Sequence, residues 1–256
     1  VGVVICACWP SVEVFTAFES GFHPTGHSGT ITRLGEERVI KEIDGQPAAL
    51  VYDRWTSGLL TSLRRADGRG SGARAPSCFE DLAAASESDT RARRKQMEED
   101  GDGILLLAPS TPMPLAVEVR SSDSTNGAQE RLHRILHPVT WHPDDSIDTA
   151  TSTRIGDRVC LMHGTVETLR NNMSTLAARL VRQVNSHSIQ AGSYVLGALT
   201  VYCGGCLMHV QDEIARTGVQ LHDALGGSPS VTMFLFGEIG SWRTSQSYLG
   251  NLMNSI

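Results

Sequence analysis

The sequence predicts a mixed α/β (α+β) fold: a layered sandwich of mixed β-sheet and helices, interrupted by a long low-complexity surface insertion. Three observations carry that expectation. Apolar runs of strand length, Val1-Gly2-Val3-Val4-Ile5-Cys6-Ala7-Cys8 and Val231-Thr232-Met233-Phe234-Leu235-Phe236, are set off by proline or glycine and read as buried strands. Val166, Leu169, Met173, Leu176, Leu180 and Val184 recur three and four apart, the apolar stripe of one amphipathic helix. Near the C-terminus a strand, a glycine turn, a helix and a further strand follow one another, an order that layers helices on a sheet.

Taken in order, the opening strand ends at Trp9-Pro10, and residues 12–18 alternate apolar and polar like a half-buried strand. Residues 21–29, with three glycines and a proline, read as a loop. Residues 30–34 and 38–43 read as the arms of a hairpin. Asp44-Gly45 signals a tight turn, because glycine accepts positive φ without strain, and Pro47 opens a helix through Trp55. From 61 to 103 large apolar side chains are scarce and charges of both signs cluster, so the segment cannot bury enough surface to offset its ordering entropy; it is expected to be a disordered insertion. Strands are expected again at 104–107, 113–120, 133–141, 146–151 and 158–162. The striped helix follows, with Thr165 or Thr168 as its cap. A buried strand at 195–202 leads into Cys203-Gly204-Gly205-Cys206 and a second helix reaching Leu225, and Gly226-Gly227-Ser228-Pro229 ends it ahead of the strand at 231–236.

The chain has 256 residues, 40% hydrophobic and 20% charged, with a formal net charge of −6: enough for one large domain or two small ones with a real core. That balance argues against a nucleic-acid partner, since phosphate binding wants a basic surface. Apolar runs such as Ile104-Leu105-Leu106-Leu107-Ala108 are far short of the roughly 20 residues that span a bilayer, so no membrane association is expected. The chain opens on Val1 inside a strand-like run, without a basic leader or cleavage site, and is expected to be a fragment of a longer cytoplasmic protein with reduced thiols.

Among the candidate chemistries, Cys203 and Cys206 have the spacing of a redox pair at a strand-to-helix junction, where a thiol pKa falls; the intervening glycines equally suit a tight turn. Haem attachment of the c type is excluded, because His209 is not adjacent to Cys206. His133, His137 and His142 lie in an extended stretch, and a four-residue spacing gathers metal ligands only on a helix, so no metal site is expected there. His23 and His27 read as hydrogen-bonding surface residues, with metal or haem ligation as the alternative. No phosphate-binding glycine loop and no nucleophile elbow is present, and no catalytic residue is expected. Glu238, flanked by glycines at a strand end, is the charge that stands out. It suits either the amine of a small ligand, which glycines let approach closely, or the capping of the next turn.

Val201-Tyr202-Cys203-Gly204-Gly205, with Phe234-Leu235-Phe236-Gly237-Glu238-Ile239-Gly240, resembles the C-terminal half of the FIST sensory domain. Gly156-Asp157-Arg158-Val159-Cys160-Leu161-Met162-His163-Gly164 is similar to the stretch leading into that family's long helix, and Ile43-Asp44-Gly45-Gln46-Pro47-Ala48 to the turn that opens its C-terminal half. On this resemblance residues 1–38 are the tail of the N-terminal half, and 39–256 the C-terminal domain, interrupted at 61–103. The family pattern has an arginine where this chain has Cys206, which implies a different ligand chemistry. The resemblance implies a non-enzymatic signal-transduction module binding a small, amino-acid-like ligand, with Cys203, Gly204, Gly205, Gly237, Glu238 and Gly240 as the ligand-binding set. It implies no obligate cofactor, although some members bind haem. The resemblance also leaves a protein-interaction adaptor of the F-box type, recruiting substrates for ubiquitination, as the alternative, and the cysteine spacing leaves a third, a thiol redox protein using Cys203 and Cys206.

Overall fold

A computed structural model describes residues 9–67, 103–120, 131–187, 194–240, 248–250 and 252–256. It is a mixed α/β structure, as the sequence predicts. Its elements are β1 (Phe18–Glu19), β2 (His23–Leu34), β3 (Val39–Ile43), β4 (Gln46–Pro47), α1 (Ala48–Trp55), α2 (Leu59–Asp67), β5 (Ile104–Leu105), α3 (Leu107–Ser110), β6 (Leu115–Arg120), β7 (Arg131–Leu136), β8 (Pro138–Trp141), β9 (Ile147–Thr149) and β10 (Arg158–His163). The C-terminal part adds α4 (Val166–His187), β11 (Ala198–Cys203), α5 (Gly204–Val210), a 3-10 turn at Gln211–Glu213, α6 (Ile214–Ala224), β12 (Ser230–Leu235), β13 (Glu238–Gly240), β14 (Tyr248–Gly250) and β15 (Asn254–Ser255).

The described strands form a large sheet in the order β5-β8-β9-β3-β2-β10-β6-β7, with β4 beside β3, a smaller sheet β1-β15-β11-β12, and the pair β13-β14. Period-two alternation sorts the large sheet's residues into two cores. Val159 and Leu161 face a core closed by Ala48, Val51, Tyr52 and Leu60 of α1 and α2. Cys160 and Met162 face the other core, with Leu169, Met173 and Leu176 of α4 and Tyr202 of the small sheet. Helix α4 therefore lies between the two sheets. Its N-terminus is tied by Thr165 and Thr168, whose backbone N–H groups donate to each other's hydroxyls at 2.9 and 3.1 Å. Among the described residues no helix is long and apolar enough to cross a membrane.

Several elements differ from the sequence reading. Residues 12–17 are not strand, and Val12 and Val14 are exposed; only Phe18–Glu19 pairs, with β15. The glycine and proline stretch at 23–29 is strand, not loop. Pairing with β10 captures it, and the register shift between Cys160 and Met162, together with Gly26 at φ 94°, absorbs the irregularity as a bulge. Residues 133–141 form two strands rather than one: β7 pairs with β6, while β8 pairs with β5 and β9. The helix after Cys203 breaks at Gln211, whose φ is 36°. The strand at 231–236 is not buried. β12 is the outer strand of the small sheet, and Val231, Met233, Phe234, Leu235 and Phe236 are all exposed, on both faces of the strand. Residues 61–67 continue as helix α2, whereas the rest of the expected insertion and the opening strand at 1–8 lie outside the described residues.

Candidate functional site

Cys203 ends β11 and caps α5, the point at which a strand hands over to a helix in the sequence reading. Parallel pairing sets Cys203 opposite Leu235 of β12. Two residues on, Gly237 adopts φ 80°, a conformation glycine takes without strain, and this turn carries Glu238 back into the protein. Antiparallel pairing of β15 with β11 sets Asn254 opposite Tyr202. The result is a buried polar group made from three separate stretches: Cys203 and Cys206, Glu238, and Asn254, all 3% exposed or less.

Its hydrogen bonds are few. The Cys203 backbone N–H donates to Asn254 Oδ1 at 3.1 Å, which turns the amide nitrogen of Asn254 away. The Met253 N–H donates to Glu238 Oε2 at 3.4 Å, and the Cys206 thiol to the Leu252 carbonyl at 3.7 Å. Glu238 Oε1 and Asn254 Nδ2 are buried with no hydrogen-bond partner among the described residues. Such orphaned groups are rare in folded proteins and call for an explanation.

The electrostatics follow from this burial. Lack of solvent, and then the neighbouring Cys203 charge, raise the Glu238 carboxyl to about 9, so it is a neutral acid near pH 7. The neighbouring Cys206 thiol, helped by the Cys206 and Gly205 amides and by Glu238, lowers Cys203 to about 6 against the opposing effect of burial. Cys206, fully buried beside Cys203, is held well above its usual value. The two shifts run in opposite directions: Cys203 becomes the more acidic thiol of the pair, and the adjacent Glu238 carboxyl holds its proton more tightly than an ordinary carboxylate.

Of the six residues the sequence singles out, Cys203 and Glu238 meet. Gly237 makes the turn between them. Gly204 and Gly205 allow close packing: a Cβ on Gly204 would lie 2.7 Å from the Phe236 ring, and one on Gly205 2.6 Å from Leu252 Cδ2. Gly240 packs against the Phe18 ring, away from the polar group. Sequence reasoning missed Asn254. A lone amide in the run Leu252-Met253-Asn254 is its only local sign, and its contact with Cys203 comes from strand pairing.

The histidines lie elsewhere. His137 is buried, with Nε2 2.8 Å from the Leu107 carbonyl, and His27 stacks on Trp55 with ring centroids 6.2 Å apart. Among the described residues no group of three or more His, Cys, Asp or Glu has the arrangement of a metal centre. An open cleft of about 210 Å³, lined by residues including His27, Asp44, Gln46, Arg54 and Trp55, lies over the α1 core. Its polar walls are already engaged: Arg54 donates to Gln46 at 2.6 Å and Asp44 accepts from the Thr30 N–H at 2.8 Å. The Cys203–Glu238 group, with its unmet polar atoms, is the stronger candidate.

Comparison with known proteins agrees with the resemblance. The FIST C domain model matches residues 100–241, and the FIST N domain model matches residues 1–46. No curated protein and no solved structure matches the chain. With more than half of its length inside the first of these matches, the chain belongs to the FIST family, whose domains are sensory modules of signal transduction.

Proposed function

We propose that this chain senses a small, polar, amino-acid-like molecule, and that the molecule is held at the Cys203–Glu238–Asn254 group without being chemically transformed. The observation that carries this reading is the pair of orphaned polar atoms, Glu238 Oε1 and Asn254 Nδ2. Leaving a polar group buried and unpaired costs roughly 1–3 kcal/mol, and a ligand that satisfies both atoms recovers that cost. An acid and an amide side by side suit a molecule with both an amine and a carboxyl. Binding of an ammonium group would draw the Glu238 pKa down from about 9 and release a proton, so affinity rises with pH between neutrality and that value.

The test is a calorimetric titration with a panel of free L-amino acids. The wild type is expected to bind at least one, and Glu238→Gln to bind it about tenfold more weakly or worse, with an unchanged melting temperature. Loss of binding and stability together would make the carboxyl structural, and a wild type that binds none of the panel would sink the reading. A second reading, a docking surface for a protein partner, has its own support in the exposed apolar residues of β12. It predicts a stoichiometric partner that co-purifies with the wild type and is lost from a Val231→Lys variant.

A further inference from the structure

We infer that Cys203 and Cys206 form a peroxide-sensitive dithiol, with Cys203 as the nucleophile, Cys206 as the resolving thiol and Glu238 as the proton donor. The two cysteines lie three positions apart on one tight strand-to-helix turn, and each is the largest influence on the acidity of the other. Only glycines separate them, so the turn adds no side chain of its own beside the sulfur and packs closely on Leu252, whose Cδ2 lies 2.6 Å from where a Cβ on Gly205 would stand. Glu238 supplies a carboxyl next to the same sulfur, with Oε1 unengaged.

The third described cysteine shows what is special here. Cys160 is also buried, but its thiol donates toward the Ala116 carbonyl at 3.6 Å, no second cysteine among the described residues adjoins it, and burial pushes it up to about 12. Cys160 is thus a core thiol held in its neutral form, whereas Cys203, equally buried, is lowered to about 6, the direction that favours nucleophilic attack. Burial also bears on the oxidant. With Cys203 only 3% exposed and Cys206 fully enclosed, the pair is better matched to a small hydroperoxide than to a bulky protein disulfide.

The chemistry balances as follows. The Cys203 thiolate attacks one oxygen of hydrogen peroxide, and the O–O bond breaks. The departing hydroxide takes the Glu238 proton and leaves as water, giving Cys203 sulfenic acid and a Glu238 carboxylate. The Cys206 thiol then attacks the sulfenic sulfur. The S–S bond forms, the S–O bond breaks, and the hydroxyl leaves with the Cys206 proton as a second water. The peroxide is reduced, the two sulfurs are oxidised, and solvent returns the proton to Glu238.

The proposal is independent of the ligand reading, because it is tested with hydrogen peroxide alone. The reduced chain is treated at neutral pH, quenched, denatured, alkylated and peptide-mapped. The expected result is a peptide holding Cys203 and Cys206, two hydrogens lighter and unlabelled until dithiothreitol is added, with Cys160 labelled throughout. Cys206→Ser is expected to stop at the sulfenic acid and yield a dimedone adduct at Cys203. Finding both thiols still labelled in the wild type, at peroxide doses that oxidise free cysteine, would overturn the proposal. A folded Cys206→Ser chain that gives no dimedone adduct would remove Cys203 as the nucleophile. If that variant does not fold, the wild-type map alone decides.

Discussion

At the end of β7 the imidazole of His137 is 6% exposed, held between the Leu107 carbonyl and the Thr111 hydroxyl, and burial lowers its pKa to about 4. In the unfolded chain it titrates near 6.5. Between those values the unfolded state binds the extra proton, so stability declines as pH falls from about 6.5 to 4 and gains nothing from this group above 6.5. The full effect is of the order of 3 kcal/mol. Urea unfolding across that range should give a steeper acid loss for the wild type than for His137→Gln, and parallel curves would show that the ring is solvated. Gly204 and Gly240 offer a contrast at the same scale. A Cβ on Gly204 meets Phe236, which is 76% exposed and free to swing out, so Gly204→Ala should change stability by no more than about 0.5 kcal/mol. A Cβ on Gly240 overlaps the Phe18 ring, which is 3% exposed and hemmed in by the core. Gly240→Ala should therefore cost about 1–3 kcal/mol. Equal melting temperatures for the two variants would contradict this packing.

Among the elements, those whose signal is local were legible. The α4 stripe, the Asp44-Gly45 turn and the strand-to-helix junction at Cys203 depend on spacings of a few residues, and all three stand where the sequence puts them. What was not legible depends on partners distant in the chain. Residues 23–29 have the composition of a loop, yet β10 supplies hydrogen-bond partners for them, and one glycine bulge makes them strand. β12 has the composition of a buried strand, yet its apolar side chains stay largely exposed, because composition cannot tell what will pack against a strand's faces. The candidate site divides the same way: Cys203 and Glu238 stand out beside their glycines, whereas Asn254 joins them only through β15 pairing. β12 also carries a prediction. An uncharged outer strand with exposed apolar side chains is a template for pairing with other chains. Val231→Lys, at a position 64% exposed, should reduce self-association in concentrated solution, as measured by light scattering, while stability stays within about 0.5 kcal/mol. Unaltered association would show that the edge is not the sticky surface.

On the scale of the whole molecule, the two cores are not two independent bodies. The large sheet lends one face to each, so Val159 and Cys160, adjacent in sequence, belong to different cores. The family-model matches fall across this arrangement. β2 lies within the FIST N match, yet in the large sheet it stands between β3 and β10, the latter well inside the FIST C match. Arg158 reaches from β10 to the Ser28 hydroxyl at 2.7 Å, across 130 positions of chain. That central pairing has a consequence in time. Contacts between distant positions form only after a long loop has closed, and the entropy of closure precedes any reward. A ribosome would release β2 long before β10 emerges to meet it, so β2 must wait with β3 on one edge and its other edge unpaired for more than a hundred residues of synthesis. Its lateness as a folded element, and not any weakness in the finished sheet, makes the middle of this protein the step on which folding speed depends.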